Sequence, residues 1–142
     1  VIVVDVNLLI YAHNAGASQH TAARAWAERV FSGSEPVRIP WAVVHAFLRL
    51  TTAGPFMTQP FEVLEATEIV GDWFASPAVE LIEPGPRYWQ ILRDLLIRNN
   101  VRGKLVSDAH IAALSMENDA TLYTADRDFE RFAGLRVVNP LA

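Results

Sequence analysis

Val1-Ile2-Val3-Val4-Asp5-Val6-Asn7-Leu8-Leu9-Ile10-Tyr11-Ala12 opens the chain and decides its fold class. Four β-branched residues run without polar alternation into an acid. Such a run reads as a strand buried on both faces, and in an α/β protein a strand of this kind is parallel. After Asp5 the period changes, because Val6, Leu9, Ile10 and His13 share one helical face. The stretch therefore reads strand, acid, helix. Asp5 stands at the carboxyl end of its strand, on the edge outside which open α/β sheets bind their ligands. A buried carboxylate there needs compensation, by a cation or by water.

The rest of the chain repeats the alternation. Gly16 suits a left-handed cap for the first helix, and Ser18 an N-cap for a second carrying Ala22, Trp26 and Val30. Val37-Arg38-Ile39 is a short strand. Pro40 opens a third helix with Val43, Val44, Phe47, Leu48 and Thr51 inward and Trp41, His45 and Arg49 on an adjacent stripe. Thr58 or Gln59 is expected to cap a fourth helix with Pro60 in its first turn and Val63, Ala66, Thr67, Val70, Trp73 and Phe74 along one side. Val79 to Ile82 is a third strand. A fifth helix buries Trp89, Leu92, Leu95, Leu96 and Asn99, and a sixth is capped by Ser107 or Asp108. Thr121 to Thr124 and Leu135 to Val138 are strands around a short helix opened by Asp126 and Asp128. This order predicts a three-layer α/β/α fold with a central, mostly parallel sheet of four to five strands.

With 142 residues, 51% apolar and 20% charged, the chain has globular composition and is expected to form one domain over residues 1–142. The net charge of −4 gives no whole-molecule signature of a nucleic-acid binder. Eight of the 12 Lys and Arg residues nevertheless lie from Arg87 onward, which permits a local basic surface. There is no cysteine, so disulfides and thiolate metal sites are excluded. The longest apolar run is too short to span a bilayer and no basic segment precedes it, so no membrane association is expected and a cytoplasmic location is.

Three acids are topologically equivalent in this reading. Asp5 follows the first strand, Asp108 sits at a helix N-terminus, and Asp126 lies just past the fourth strand. All three reach the same sheet edge, with Asp128 at its rim. Helix N-termini favour carboxylates by up to ~1 kcal/mol, too little to hold three like charges together. A divalent ion offsets the repulsion, and hard oxygen ligands select Mg²⁺ or Mn²⁺. Such an ion lowers the pKa of bound water and polarises a phosphoryl oxygen, which points to phosphodiester hydrolysis. Each acid also has a plainer reading: Asp108 as an ordinary N-cap, Asp126 and Asp128 as acids opening a helix.

The blocks Val3 to Ala12, Val106-Ser107-Asp108-Ala109-His110-Ile111-Ala112-Ala113-Leu114 and Leu122-Tyr123-Thr124-Ala125-Asp126-Arg127-Asp128-Phe129 resemble PIN-domain proteins, and more narrowly VapC toxins of bacterial type II toxin–antitoxin modules. Pro40-Trp41, Phe47-Leu48-Arg49 and Asn139-Pro140-Leu141 resemble a branch common in mycobacteria. The resemblance implies a Mg²⁺- or Mn²⁺-dependent endoribonuclease acting on structured RNA such as tRNA or ribosomal RNA. It also implies a homodimer, and inhibition by a VapB antitoxin in a heterotetramer or larger assembly. Asp5, Asp108 and Asp126 match the family's metal-binding acids, and Asn7 and Thr124 its supporting polar residues. The family's Glu on the third helix is replaced here, with His45 at that position. A neutral imidazole is a poor Mg²⁺ ligand, so His45 is read as a phosphate contact or proton donor, or as a plain helix-surface residue.

Arg49, Arg102, Lys104 and Arg127 are candidate phosphate contacts or solvated charges. Trp41 reads as helix-start packing or as a platform for a base. A competing reading is a PIN domain that binds RNA or protein without cutting, favoured by the missing Glu. A haloacid-dehalogenase-like phosphatase requires an Asp where Asn7 stands, and a receiver domain requires adjacent early acids and a late Lys that this chain lacks.

Overall fold

The computed structural model describes all residues 1–142. Its five strands are β1 (Ile2–Val4), β2 (Val37–Pro40), β3 (Val79–Ile82), β4 (Thr121–Tyr123) and β5 (Arg136–Val138). They form one sheet in the order β3-β2-β1-β4-β5, and every pairing is parallel. Six α-helices connect them: α1 (Val6–His13), α2 (His20–Phe31), α3 (Trp41–Thr51), α4 (Val63–Ala75), α5 (Tyr88–Arg98) and α6 (Leu105–Glu117). A 3₁₀ turn at Arg127–Arg131 separates β4 from β5. The chain steps from β1 out to β3, then crosses to β4 and β5 on the other side. Right-handed crossovers put α1 to α4 on one face and α5 and α6 on the other. The expected three layers are present, and the sheet is wholly rather than mostly parallel.

β1 is the central strand, and all three of its residues are buried. Its neighbours are built from the same residue types, with Val37, Ile39 and Leu122 fully enclosed. Around them, Phe47 of α3 meets Trp73 of α4 edge to face at 4.6 Å, and Trp26 of α2 stacks on Tyr123 of β4 at 5.7 Å. The two buried hydroxyls of the helices, Thr51 and Ser115, return their protons to the Phe47 and Ile111 carbonyls four residues back, so neither is left unpaired in the core.

Several local expectations differ from what forms. Gly16 is not a left-handed cap: Asn14 leaves α1 in an extended conformation, and its Oδ1 accepts from the Gly16 amide at 3.2 Å. The space at Gly16 is tight, since a Cβ would lie 3.1 Å from Thr58 Oγ1. Ser18 does not cap α2; a turn closed from the His20 amide to the Ala17 carbonyl comes first, and the inward residues are Ala23, Trp26 and Ala27, not Ala22. Neither Thr58 nor Gln59 caps α4. The Phe61 amide bonds the Thr51 carbonyl at 2.8 Å, which holds residues 60–62 extended against the end of α3 and delays the helix to Val63. On α4 only Ala66, Val70 and Trp73 of the expected stripe are buried, while Val63, Thr67 and Phe74 are exposed. On α5 the inward stripe starts at Tyr88, so Trp89, one residue off it, is 62% exposed.

Candidate active site

The strand order places a topological switch between β1 and β4, and the crevice beyond their carboxyl ends is where such sheets bind ligands. Asp5 leaves β1 there and Asp126 follows β4. The Asp5 Oδ1 accepts from the Val6 amide at 2.8 Å, making it the N-cap of α1. Its Oδ2 accepts from the Thr124 hydroxyl at 2.7 Å. Thr124 Oγ1 in turn accepts from the Asp126 amide at 3.0 Å and from the Asn7 side-chain amide at 3.3 Å, and Asn7 Oδ1 accepts from the Ala125 amide at 3.4 Å. One buried hydroxyl thus ties β1, α1 and the end of β4 together and orients two of the acids. Asp126 Oδ1 accepts from the Asp128 amide at 2.9 Å, which fixes the turn that follows.

Asp108 arrives from the other layer. It does not cap α6, and neither does Ser107: Gly103 adopts φ +61°, the chain turns there, and the helix begins at Leu105. Asp108 consequently lies in the first turn of α6, with its carboxylate toward the acids of β1 and β4. Ligand oxygens of Asp108, Asp126 and Asp128 lie within 4.8 Å of one another. Asp128, expected at the rim, joins this cluster, and Asp5 lies just outside it. Arg131 approaches Asp128 at 3.8 Å.

The electrostatics follow from this crowding. Burial lifts the Asp5 carboxyl above its ordinary value, against the opposing hydrogen bonds from Thr124 and Val6, and the charge of Asp126 adds to the lift. Asp108 is pushed up to about 6, first by burial and then by Asp126, Asp5 and Asp128, with Arg131 opposing. Two carboxyl groups with raised affinity for a proton beside two further acids form a site with unmet demand for positive charge.

A groove of about 660 Å³ opens over Asp5 and Asp108. Its α3 wall presents Ala42, His45, Ala46 and Arg49, a face without an acid. The opposite wall carries Tyr88, Leu92, Val106 and His110. Tyr88 and His110 were not singled out in the sequence. The hydroxyl of Tyr88 hydrogen-bonds Nδ1 of His110, and burial lowers the affinity of that imidazole for a proton. The available signal was a pair of polar rings on otherwise apolar helix faces. On the far side of Asp126, Arg127 and Asn139 line a smaller hollow of about 370 Å³.

The cations divide by location. Arg24, Arg38, Arg98 and Arg136 are paired with acids away from the groove. Arg49, Arg102, Lys104 and Arg127 are in no ion pair, although Arg49 lines the groove and Arg127 the hollow beside Asp126.

Comparison with known proteins agrees with the geometry. The family described as PIN domain matches residues 2–135. Ribonuclease VapC43 of Mycobacterium tuberculosis is 38% identical over 138 residues, 97% of this chain and 94% of the relative. Ribonuclease VapC33 of the same organism is 34% identical over 140 residues, 99% and 98% of the two chains. Among solved structures, VapBC2 from Rickettsia felis bound to a DNA fragment from their promoter superposes with a TM-score of 0.72 at 16% identity, covering 97% of each chain. Mycobacterium tuberculosis VapC20, described as a sarcin-ricin loop cleaving toxin, gives 0.69 at 20% identity, covering 95% and 96%. The chain thus belongs to the PIN-domain family and, within it, to the VapC ribonucleases. No helix is long and apolar enough to cross a membrane.

Proposed function

We propose that this chain is the toxin of a toxin–antitoxin pair and a metal-dependent endoribonuclease that cuts structured RNA, tRNA or ribosomal RNA, at a chosen phosphodiester. The observation that carries this reading is the convergence of Asp108, Asp126 and Asp128, with Asp5 and Asp108 lining one groove. The donor set fits a hard divalent cation, since all four groups offer carboxylate oxygen and none offers sulfur. Burial and the neighbouring acids raise the Asp108 carboxyl, and a bound cation would favour its ionised form. Mg²⁺ is the ion of choice and Mn²⁺ the alternative. Asp5, Asp108 and Asp126 would hold it, with Asp128 within reach. When bound, the ion supplies Lewis acidity and an acidified water.

The chain's own groups do the remaining work. Thr124 and Asn7 hold Asp5 and Asp126 in place. Arg49 and Arg127, unpaired on either side of the acids, contact flanking phosphates. His45, on the groove's α3 wall, contacts the phosphate or donates a proton.

Solved neighbours described as VapBC2 from Rickettsia felis and as a toxin–antitoxin complex from Klebsiella pneumoniae support a cognate VapB-type antitoxin as partner. The antitoxin would inhibit by covering the groove, in an assembly built on a homodimer of this chain.

A specific observation favours a second reading, a domain that binds RNA or protein without turnover: the α3 wall has no carboxylate. One experiment separates the two. Purified protein freed of partner is incubated with tRNA and ribosomal RNA in Mg²⁺, in Mn²⁺ and in EDTA, beside Asp108→Asn. Discrete fragments that disappear with EDTA and with the variant are expected. Folded protein that cuts nothing in either metal refutes the nuclease reading and leaves the binding module.

A further inference from the structure

A second cavity of about 380 Å³ adjoins the acid-lined groove. The two share Ala42, His45 and His110, so they form one trough with a neck between two histidines. Asp5 and Asp108 line the first chamber; Trp41, Ile82, Glu83 and Pro84 line the second. The second chamber has the size of a small-ligand cleft.

Its walls are held in place. Trp41 heads α3 and is 40% exposed, with Phe74 edge-on at 5.9 Å and the His45 ring at 6.4 Å. The hydrogen bond between the Tyr88 hydroxyl and His110 Nδ1 leaves Nε2 as the ring's free polar atom. The far wall is the turn Glu83-Pro84-Gly85-Pro86, clamped by the last residue of α6. Glu117 accepts from the Gly85 amide at 2.8 Å and the Arg87 amide at 2.9 Å, and the Arg87 guanidinium donates to the Glu117 carbonyl at 2.7 Å. A Cβ on Gly85 would stand 2.7 Å from the Glu117 carboxylate, so a larger residue there would push that side chain off the turn. Glu83, on this fixed wall, has no cation within 4 Å and no side-chain hydrogen bond.

We propose that the second chamber is a base-binding subsite, which takes one unstacked nucleobase of the RNA beside the phosphate held at the acids, stacks it on Trp41 and reads its N–H edge with Glu83. The inference rests on the ribonuclease reading above and adds to it the source of sequence preference. An exposed indole is a platform for a flat heterocycle. The open carboxylate accepts N–H and repels phosphate, so the chamber suits the base and not the backbone. Guanine is the best fit, because it offers adjacent N1–H and N2–H donors to two carboxylate oxygens. Uracil is the worst, because its one N–H is flanked by two carbonyl oxygens.

The test uses two readouts on the whole chain. Binding of the pentanucleotides UUNUU, with each of the four bases at N, is followed by fluorescence anisotropy in EDTA. Cleavage positions are mapped on a random-sequence RNA pool in Mg²⁺. Wild type is expected to bind the G pentamer about tenfold tighter than the U pentamer and to place G at a fixed distance from its cuts. Glu83→Gln removes the preference and retains cleavage, Trp41→Ala weakens G binding by about tenfold, the scale of one stacked base, and Trp89→Ala, outside the trough, changes neither. Base preference without cleavage in any metal would refute the nuclease reading and leave the subsite standing. Cleavage with no base preference, or with a preference that Glu83→Gln retains, overturns the subsite. A Trp41→Ala protein that loses molar mass in solution and keeps the preference also overturns it, and assigns this face to a protein contact.

Discussion

Replacing Asp108 by Asn is expected to make the metal-free protein more stable at neutral pH while removing its activity. Asp108 is lifted from the ordinary 3.8 to about 6 by burial and by the charges of Asp126, Asp5 and Asp128. Such a lift corresponds to roughly 3 kcal/mol of disfavoured ionisation at ~1.4 kcal/mol per pH unit. Water screening at this partly exposed position reduces it to about 1 kcal/mol, or roughly 2–4 °C in melting temperature for a chain of this size. The folded pKa lies above the unfolded one, so the folded chain binds the extra proton. Stability from this group is therefore complete below pH ~4 and is lost as pH rises through about 6. Thermal melting in EDTA from pH 4 to 8 reads the effect. Asp108→Asn should match wild type at pH 4 and exceed it above pH 7, and Mg²⁺ should raise the wild-type melting temperature far more than that of the variant. A variant less stable than wild type by the same margin at both pH values would refute the mutual repulsion of the acids.

Other outcomes follow from the same geometry. Thr124→Val keeps the shape but removes the donor to Asp5 and the acceptor of the Asp126 amide; urea unfolding at pH 7.5 should show a loss of about 2–3 kcal/mol. It should also push the Asp5 carboxyl higher still, so the acid limb of the cleavage profile moves to higher pH. Arg49→Gln and Arg127→Gln should each weaken RNA binding across sequences and lower the salt slope by about 0.7, measured by titration between 50 and 200 mM salt at fixed magnesium. His45→Ala should reduce cleavage on the order of 100-fold through loss of a proton donor, and a wild-type rate across pH 5 to 8 would remove it from that role.

Most of the architecture was legible because it depends on period and not on detail. The apolar run into Asp5 reads as a strand buried on both faces, and the alternation after it left a parallel sheet as the outcome. The equivalence of Asp5, Asp108 and Asp126 also followed, since each ends a strand or begins a helix on one edge. Helix starts were less legible. Ser18, Thr58 and Ser107 have the side chains of caps, but the hydrogen bonds that set the first turn at each place come from distant or irregular backbone: the Thr51 carbonyl for Phe61, the left-handed Gly103 before α6. The grouping of Asp128 with Asp108 depends on the turn that Asp126 fixes, which spacing does not reveal. Tyr88 and His110 meet across 22 residues, and only docking of α5 on α6 brings them together.

The hydrogen bond from Thr124 to Asp5 joins residues 119 apart in sequence. Synthesis makes Asp5 well before its orienting hydroxyl. A nascent chain ending before Thr121 has no β4 to lie beside β1, so it exposes the first acid without assembling the centre. A chain truncated there by a stop codon or a protease likewise carries Asp5 and Asp108 but neither Thr124 nor Asp126. For an enzyme whose proposed substrates include the RNAs of translation, the sheet order itself delays competence until β4 and Thr124 have been made.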